Sequence, residues 1–199
     1  MANLVFLPGA AGRADFWQPV AERLCELGAI HLVGYPGFGD VPPDPAVTSL
    51  DDLYRWVLER LPAGASHLVA QSMGGVLAAR LAIEQPARVS RLVLAATSGG
   101  VDVARLDGAD WRPEYRAALP DAPAWFVDDR TDLTDRLGEI RAPTLLLWSD
   151  WDPVSPAAVG RFLAERIPGA RLAFVRGGSH VFANERPAEV AALVREHLG

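Results

Sequence analysis

Ser72 lies between a strand-like run and a pair of glycines, in the segment LVAQSMGG at positions 68–75. This setting predicts a sharp turn from a strand into a helix, with the serine hydroxyl exposed at the helix N-terminus as a nucleophile. The usual pattern at such a turn is Gly-x-Ser-x-Gly, and Ala70 replaces its first glycine. Alternatively, Ser72 is only the N-cap of an ordinary helix, because short motifs also occur without a function.

A serine nucleophile needs a base within hydrogen-bond reach, and that base needs an acid that orients it. The chain has four histidines. His31 and His67 open or precede predicted strands, and His197 lies in the last predicted helix. His180 instead follows a predicted strand, in a glycine-rich loop that can fold over the site. We therefore predict that His180 is the base.

The acid is expected after the fifth predicted strand, where the segment SDWDPVSP at positions 149–156 contains two aspartates. Asp150 is close to the strand end, where a short carboxylate readily accepts backbone N–H groups of its own turn. Asp152 precedes Pro153, which favours an extended backbone and a side chain that projects toward the His180 loop. Both aspartates are candidates, and we favour Asp152.

Strands and helices that alternate along the chain must position these residues. Short apolar runs, typical of strands buried on both faces, lie at 3–7, 29–33, 67–70, 91–96, 144–148 and 170–175. Helical patterns lie between and after them, at about 15–27, 50–61, 76–85, 155–167 and 187–197. Because parallel strands need crossover connections, this alternation predicts a mainly parallel six-stranded sheet with helices on both faces. Residues that follow strands then meet at its carboxyl edge.

Length, composition and charge narrow the class of protein. The 199 residues predict one domain with a sizeable core. The net charge of −6 and the lack of lysine argue against a nucleic-acid partner. The sequence shows no signal segment before the first strand and no apolar run long enough to span a membrane. The single cysteine excludes an internal disulfide. We therefore expect a cytoplasmic protein. We expect the Cys25 thiol to be buried on a helix.

Five motifs occur in an order that resembles the α/β-hydrolase family, in particular its small esterase-like serine hydrolases with a reduced cap. In chain order they are the oxyanion loop LPGA at 7–10, the Pro-Gly-x-Gly loop YPGFG at 35–39, the nucleophile elbow AQSMGG at 70–75, the acid loop WSDWDPVSP at 148–156 and the histidine loop GSH at 178–180. The elbow is similar to the Gly-His-Ser-Met-Gly-Gly of the family. Pro8 replaces the histidine that is usual in the oxyanion loop. The resemblance covers nearly the whole chain.

The resemblance implies a mechanism and a set of site residues. Ser72, Asp152 and His180 would form the catalytic triad, in the chain order that is usual for the family. The backbone N–H groups of Ala10 and Met73 would form the oxyanion hole. The implied activity is hydrolysis of small carboxylic esters, with thioesters and lactones as related substrates, and without a cofactor or metal. The family's usual antiparallel opening strands are missing from the predicted sheet.

Residues 101–140 lie where the family carries its cap, as an insert in the single domain predicted for 1–199. The insert contains ten acidic residues and five arginines. Because it is short and acidic, we expect one or two small helices, a fairly open site and a preference for small, neutral or cationic esters. Its aromatic residues either line an acyl pocket or anchor the insert to the domain; they are Trp111, Tyr115, Trp125 and Phe126.

Two classes of alternative function are consistent with the same motifs. The triad could perform acyl transfer, cofactor-free haloperoxidation or C–C bond hydrolysis, or the chain could be a non-catalytic ligand-binding protein on this fold. The presence of all three triad positions favours an enzyme. We predict a small-molecule, ester-like substrate and neither a nucleic-acid nor a membrane partner, while the oligomeric state is not predicted.

Overall fold

A computed structural model describes residues 2–199 and contains one six-stranded sheet, in the order β2-β1-β3-β4-β5-β6. The strands are β1 (Ala2–Leu7), β2 (Gly28–Leu32), β3 (Ser66–Gln71), β4 (Val89–Ala95), β5 (Thr144–Ser149) and β6 (Arg171–Val175). Each neighbouring pair within the described residues runs parallel. The predicted fold class, a mainly parallel six-stranded sheet between helices, is confirmed.

Helices cover both faces of this sheet. They are α1 (Gln18–Ala21), α2 (Leu50–Arg60), α3 (Met73–Glu84), α4 (Arg112–Ala118), α5 (Ala124–Asp128), α6 (Ala157–Arg166), α7 (Phe182–Glu185) and α8 (Pro187–Leu198). Successive strand residues point to opposite faces, so Leu4 and Phe6 belong to the core that includes residues of α1 and α8, whereas Val5 and Leu7 belong to the core that includes residues of α2, α3 and α6. No helix within residues 2–199 is long and apolar enough to span a membrane.

The strand order changes direction at β1, which has β2 on one side and β3 with all later strands on the other. The connections that leave β1 and β3 therefore cross to opposite faces, and a crevice opens between them at the carboxyl edge of the sheet. The loop 8–12 follows β1 and Ser72 follows β3, so both flank this crevice.

The predicted helix at 15–27 is divided in the structure. The one-turn α1 lies between two 3-10 helices, Ala14–Trp17 and Glu22–Leu27. Pro19 lies at the start of α1, and because it has no backbone N–H it cannot continue an α-helical ladder from the preceding turn. The expected burial of Cys25 is also wrong: its side chain is exposed, because Leu24 is the residue that faces the core there.

The helix that follows β5 begins later than the sequence predicts. The residue pair Ser155-Pro156 is typical of an N-cap followed by a first helical residue, but α6 begins at Ala157 and Pro156 occupies the cap position. The Ser155 hydroxyl donates instead to the Thr97 carbonyl, at 3.0 Å, and is buried. The Ser155 hydroxyl is therefore used in a tertiary hydrogen bond and does not cap α6.

The connection between β4 and β5 carries the predicted insert at 101–140. It contains α4 and α5, and also two 3-10 helices, Val103–Leu106 and Thr134–Glu139. The segment is therefore more structured than the one or two small helices that its composition predicts.

Candidate active site

Ser72 occupies a one-residue turn between β3 and α3. Its backbone angles are φ 52° and ψ −120°, a conformation that side-chain-bearing residues rarely adopt. The two glycines after Ser72 also let neighbouring groups lie close to the turn. A Cβ at Gly74 would overlap the Pro8 carbonyl, and a Cβ at Gly75 would overlap the Thr97 side chain. The predicted elbow geometry is present, and its strain is typical of a functional site.

The structure brings the three predicted triad side chains together. The His180 Nε2 atom lies 3.1 Å from the Ser72 hydroxyl, and its Nδ1 atom lies 2.8 Å from Asp152 Oδ2. The Asp152 carboxylate is fully buried, and its other oxygen accepts the N–H groups of Val154 and Ser155 at 2.9 and 3.0 Å. With the Nδ1 proton donated to this carboxylate, Nε2 is free to accept the serine proton.

Asp150, the other candidate acid, does not contact His180. It is exposed, and its carboxylate accepts the backbone N–H of Gly177 at 2.6 Å. The expectation that it would accept N–H groups of its own turn is therefore wrong, since Gly177 belongs to the loop after β6. This hydrogen bond links the acid loop to the start of the histidine loop.

Two buried polar residues that the sequence analysis did not single out hold the site together. The Gln71 side chain donates to the His180 carbonyl at 3.2 Å and lies against Gly9. The Thr97 hydroxyl donates to the Ser72 carbonyl at 2.6 Å and accepts the Gly99 N–H at 3.0 Å. Thr97 follows β4 at the carboxyl edge, so its position in the strand pattern could have indicated it.

Thr97→Val should destabilise the protein by about 1–3 kcal/mol. Valine has nearly the same shape but leaves the buried Gly99 N–H without an acceptor and removes one donor from the Ser72 carbonyl. Urea unfolding measures the change. Thr48→Val is the control: its hydroxyl also donates one hydrogen bond, to Asp52 at 3.0 Å, but on the exposed surface, where water can replace it. It should change stability by no more than about 0.5 kcal/mol. Equal losses in the two variants would contradict the assigned role of Thr97.

Ala10 and Met73, whose amides are predicted to form the oxyanion hole, line one cavity together with Ser72 and His180. Within residues 2–199 neither amide donates to a protein acceptor. The loop passes close above the nucleophile, because a Cβ at Gly9 would lie 3.1 Å from that of Ser72. That these two amides form an oxyanion hole stays a prediction.

The cavity above these residues has a volume of about 1330 Å³. Its lining includes six acidic residues and four arginines: Asp15, Asp102, Asp110, Glu114, Asp129, Asp132, Arg13, Arg105, Arg112 and Arg130. This excess of negative charge around the opening disfavours an anionic ligand. No group of three or more His, Cys, Asp or Glu side chains suited to a metal ion occurs in the described part of the chain.

The aromatic residues of the insert line the cavity and anchor the insert, and that the cavity takes an acyl group stays a prediction. Trp111, Tyr115 and Phe126 line the cavity. Trp125 and Phe126 also pack edge-on against Phe38 of the main domain, at ring-centroid distances of 5.8 and 6.3 Å. The cluster therefore forms a wall of the cavity and anchors the insert at the same time.

Comparison with known protein families agrees with this fold and geometry. The profile of the family described as alpha/beta hydrolase fold matches residues 2–134, and that of the alpha/beta hydrolase family matches residues 106–193. The chain belongs to the α/β-hydrolase family. It is therefore an enzyme of the α/β-hydrolase type, as the resemblance in the sequence implied.

Relatives of this α/β-hydrolase include more than one kind of hydrolase. The pimeloyl-[acyl-carrier protein] methyl ester esterase of Nitrosomonas europaea is 28% identical over 85% of each chain. The 2-hydroxy-6-oxononadienedioate/2-hydroxy-6-oxononatrienedioate hydrolase of Cupriavidus pinatubonensis is 27% identical, over 96% of this chain and 83% of its own. A hydrolase from Pseudomonas aeruginosa PA01 is 25% identical, with a TM-score of 0.79 over 100% of this chain and 90% of its own.

Proposed function

We propose that this α/β-hydrolase cleaves carboxylic esters through an acyl-enzyme formed on Ser72. The observation that carries the proposal is the continuous contact from the Ser72 hydroxyl through His180 to the buried Asp152 carboxylate. The Ser72 oxygen attacks the ester carbonyl while His180 Nε2 takes its proton. His180 then returns that proton to the leaving alcohol, and the acyl group stays bound to Ser72.

Water completes the proposed reaction. His180 removes a proton from the water, whose oxygen attacks the acyl-enzyme carbonyl, and the acid leaves as the proton returns to Ser72. In both steps the N–H groups of Ala10 and Met73 would stabilise the negative charge on the carbonyl oxygen. This role is supported by the place of Ala10 and Met73 beside Ser72 in the cavity lining, and by the lack of an acceptor for either amide among residues 2–199.

We also propose that the chain acts as one domain with 101–140 as a reduced cap. The predicted boundary at Met1 lies outside the described residues. The proposal is supported by the anchoring of Trp125 and Phe126 on Phe38 and by the contribution of the insert to the cavity that contains Ser72. A cap in this position covers the acyl or alcohol group of a substrate.

The cavity volume argues against restricting the substrates to small esters, since it exceeds the 300–1,000 Å³ that is usual for ligand pockets. We expect kcat/KM for nitrophenyl esters to rise about tenfold from acetate to hexanoate, because added methylenes contact the aromatic wall. An ester of equal length with a terminal carboxylate should be several-fold poorer, since the cavity lining is net acidic. A flat or falling series of kcat/KM, or a preference for the anionic ester, would contradict this assignment.

Covalent labelling tests the proposed function directly. A fluorescent organophosphonate should react with the protein, and mass spectrometry of the digest should find the adduct on Ser72. Prior labelling should abolish hydrolysis of a nitrophenyl ester. A protein that neither reacts with the probe nor turns over any ester would instead support a non-catalytic binding role on this fold.

C–C bond hydrolysis is a second candidate, favoured by the similarity to the Cupriavidus pinatubonensis hydrolase. The same triad residues would take part, but the bond broken would join the carbonyl carbon to another carbon. An assay with a vinylogous diketone alongside the ester series separates the two activities by their relative kcat/KM.

A further inference from the structure

The loop that follows β1 is held at each carbonyl from Leu7 to Ala10. The donors are Trp17 Nε1 to Leu7 at 3.0 Å, the Tyr35 hydroxyl and the Gly74 N–H to Pro8 at 3.1 Å each, the Gly12 N–H to Gly9 at 2.9 Å, and the Tyr115 hydroxyl to Ala10 at 2.9 Å. This series fixes the peptide planes of the loop, and with them the direction of the Ala10 N–H.

Tyr115 differs from the other donors because it belongs to the insert. It lies on α4 and is 105 residues from Ala10 in the sequence, whereas the other donors lie in the main domain close to the sheet or in the loop itself. Its bond goes to the last carbonyl of the series, that of Ala10, a residue that lines the cavity and whose N–H is proposed to bind the oxyanion. A change in the position of α4 would therefore reach Ala10 directly.

The Tyr115 ring is itself held in place. Trp111 and Phe126 contact it edge-on, with ring-centroid distances of 5.6 and 5.5 Å. Burial raises the pKa of the Tyr115 hydroxyl to about 12, so it stays protonated and able to donate at any pH at which the enzyme is assayed. The insert thus presents a fixed donor to the loop.

We propose that Tyr115 is a positioning residue for the oxyanion hole, so that the insert supports the chemistry as well as covering the substrate. The inference rests on the proposed function, since it assumes that the Ala10 N–H binds the developing oxyanion. Loss of the Tyr115 hydroxyl would free the Ala10–Ala11 peptide unit and let the Ala10 Cα move. The adjoining Gly9–Ala10 unit, which carries the Ala10 N–H, would then be held at the Gly9 carbonyl but not beyond it, and the N–H would point at the oxyanion for a smaller fraction of the time. Stabilisation of the transition state would fall, while binding of the uncharged ester would change little.

Tyr115→Phe, which keeps the ring and removes the hydroxyl, tests the inference. We expect kcat to fall about tenfold, less than the 10²–10³-fold that loss of an oxyanion donor itself costs, with KM within about twofold. Affinity for a trifluoromethyl ketone, which forms a tetrahedral oxyanion on the serine, should fall by the same factor as kcat/KM. Tyr54→Phe is the matched control: it removes a hydroxyl on α2 outside the cavity lining and should leave both quantities unchanged.

Two results would overturn the inference. One is a Tyr115→Phe enzyme with the kcat and ketone affinity of the Tyr54→Phe control. The other is a rise in KM at unchanged kcat, which would make Tyr115 only a wall of the cavity. If Ser72→Ala is inactive while Tyr115→Phe is normal, this inference alone fails. If Ser72→Ala keeps full activity, the proposed function fails as well.

Discussion

Ser72→Ala is expected to lower kcat for ester hydrolysis at least about a thousandfold while the protein stays folded. Alanine lacks the oxygen that forms the acyl-enzyme, so His180 has no hydroxyl to activate. Alanine also keeps the Cβ, and the unusual backbone at φ 52° is then no more strained than with serine. The measurement is kcat with a nitrophenyl ester, together with thermal unfolding of the purified variant.

Ser90→Ala is the matched control for Ser72→Ala. The Ser90 hydroxyl lies 2.8 Å from His67 Nδ1, so it too is a serine paired with a histidine, but it is exposed and outside the cavity lining. This variant should keep the activity of the wild-type protein. Ester turnover by pure Ser72→Ala near the wild-type rate would rule out Ser72 as the nucleophile.

Asp152→Asn should lower kcat by a factor on the order of 10³–10⁴. Asp152 Oδ1 accepts the N–H groups of Val154 and Ser155, so the asparagine oxygen is expected to occupy that position and its NH₂ group to face His180. His180 Nδ1 must then accept, which places the ring proton on Nε2. In that tautomer the histidine cannot take the proton of Ser72.

Asp150→Asn provides the comparison within the same loop. The asparagine oxygen can still accept the Gly177 N–H, so kcat should stay within about threefold of the wild type. Circular dichroism and urea unfolding of both variants show whether each is folded. A crippled Asp150→Asn beside a nearly normal Asp152→Asn would reverse the assignment of the acid.

The sequence determined the elements that depend on local pattern. Six apolar runs became six strands within one or two residues at each end. The inner strands are largely buried on both faces and need continuous apolar residues, and the partly exposed edge strands β2 and β6 carry shorter forms of the same pattern. The positions of Ser72 and His180 followed, since Ser72 directly follows β3, His180 lies in the loop after β6, and parallel strands end at one edge. Predictions from local pattern were wrong at two helix boundaries. Pro19 divides the helix predicted at 15–27, and the Ser155 hydroxyl donates to the Thr97 carbonyl and does not cap α6.

Only the tertiary structure decided which side chains meet. Asp150 and Asp152 follow the same strand, and the sequence favoured Asp152 without excluding Asp150. The 2.8 Å distance from Asp152 Oδ2 to His180 Nδ1 decides between them. The bond from Tyr115 to Ala10 spans 105 residues and depends on how α4 packs. The cavity volume likewise arises from the fold of the insert over the sheet edge. Such contacts depend on the positions of elements distant in the sequence, whereas strand and turn signals depend on neighbouring residues.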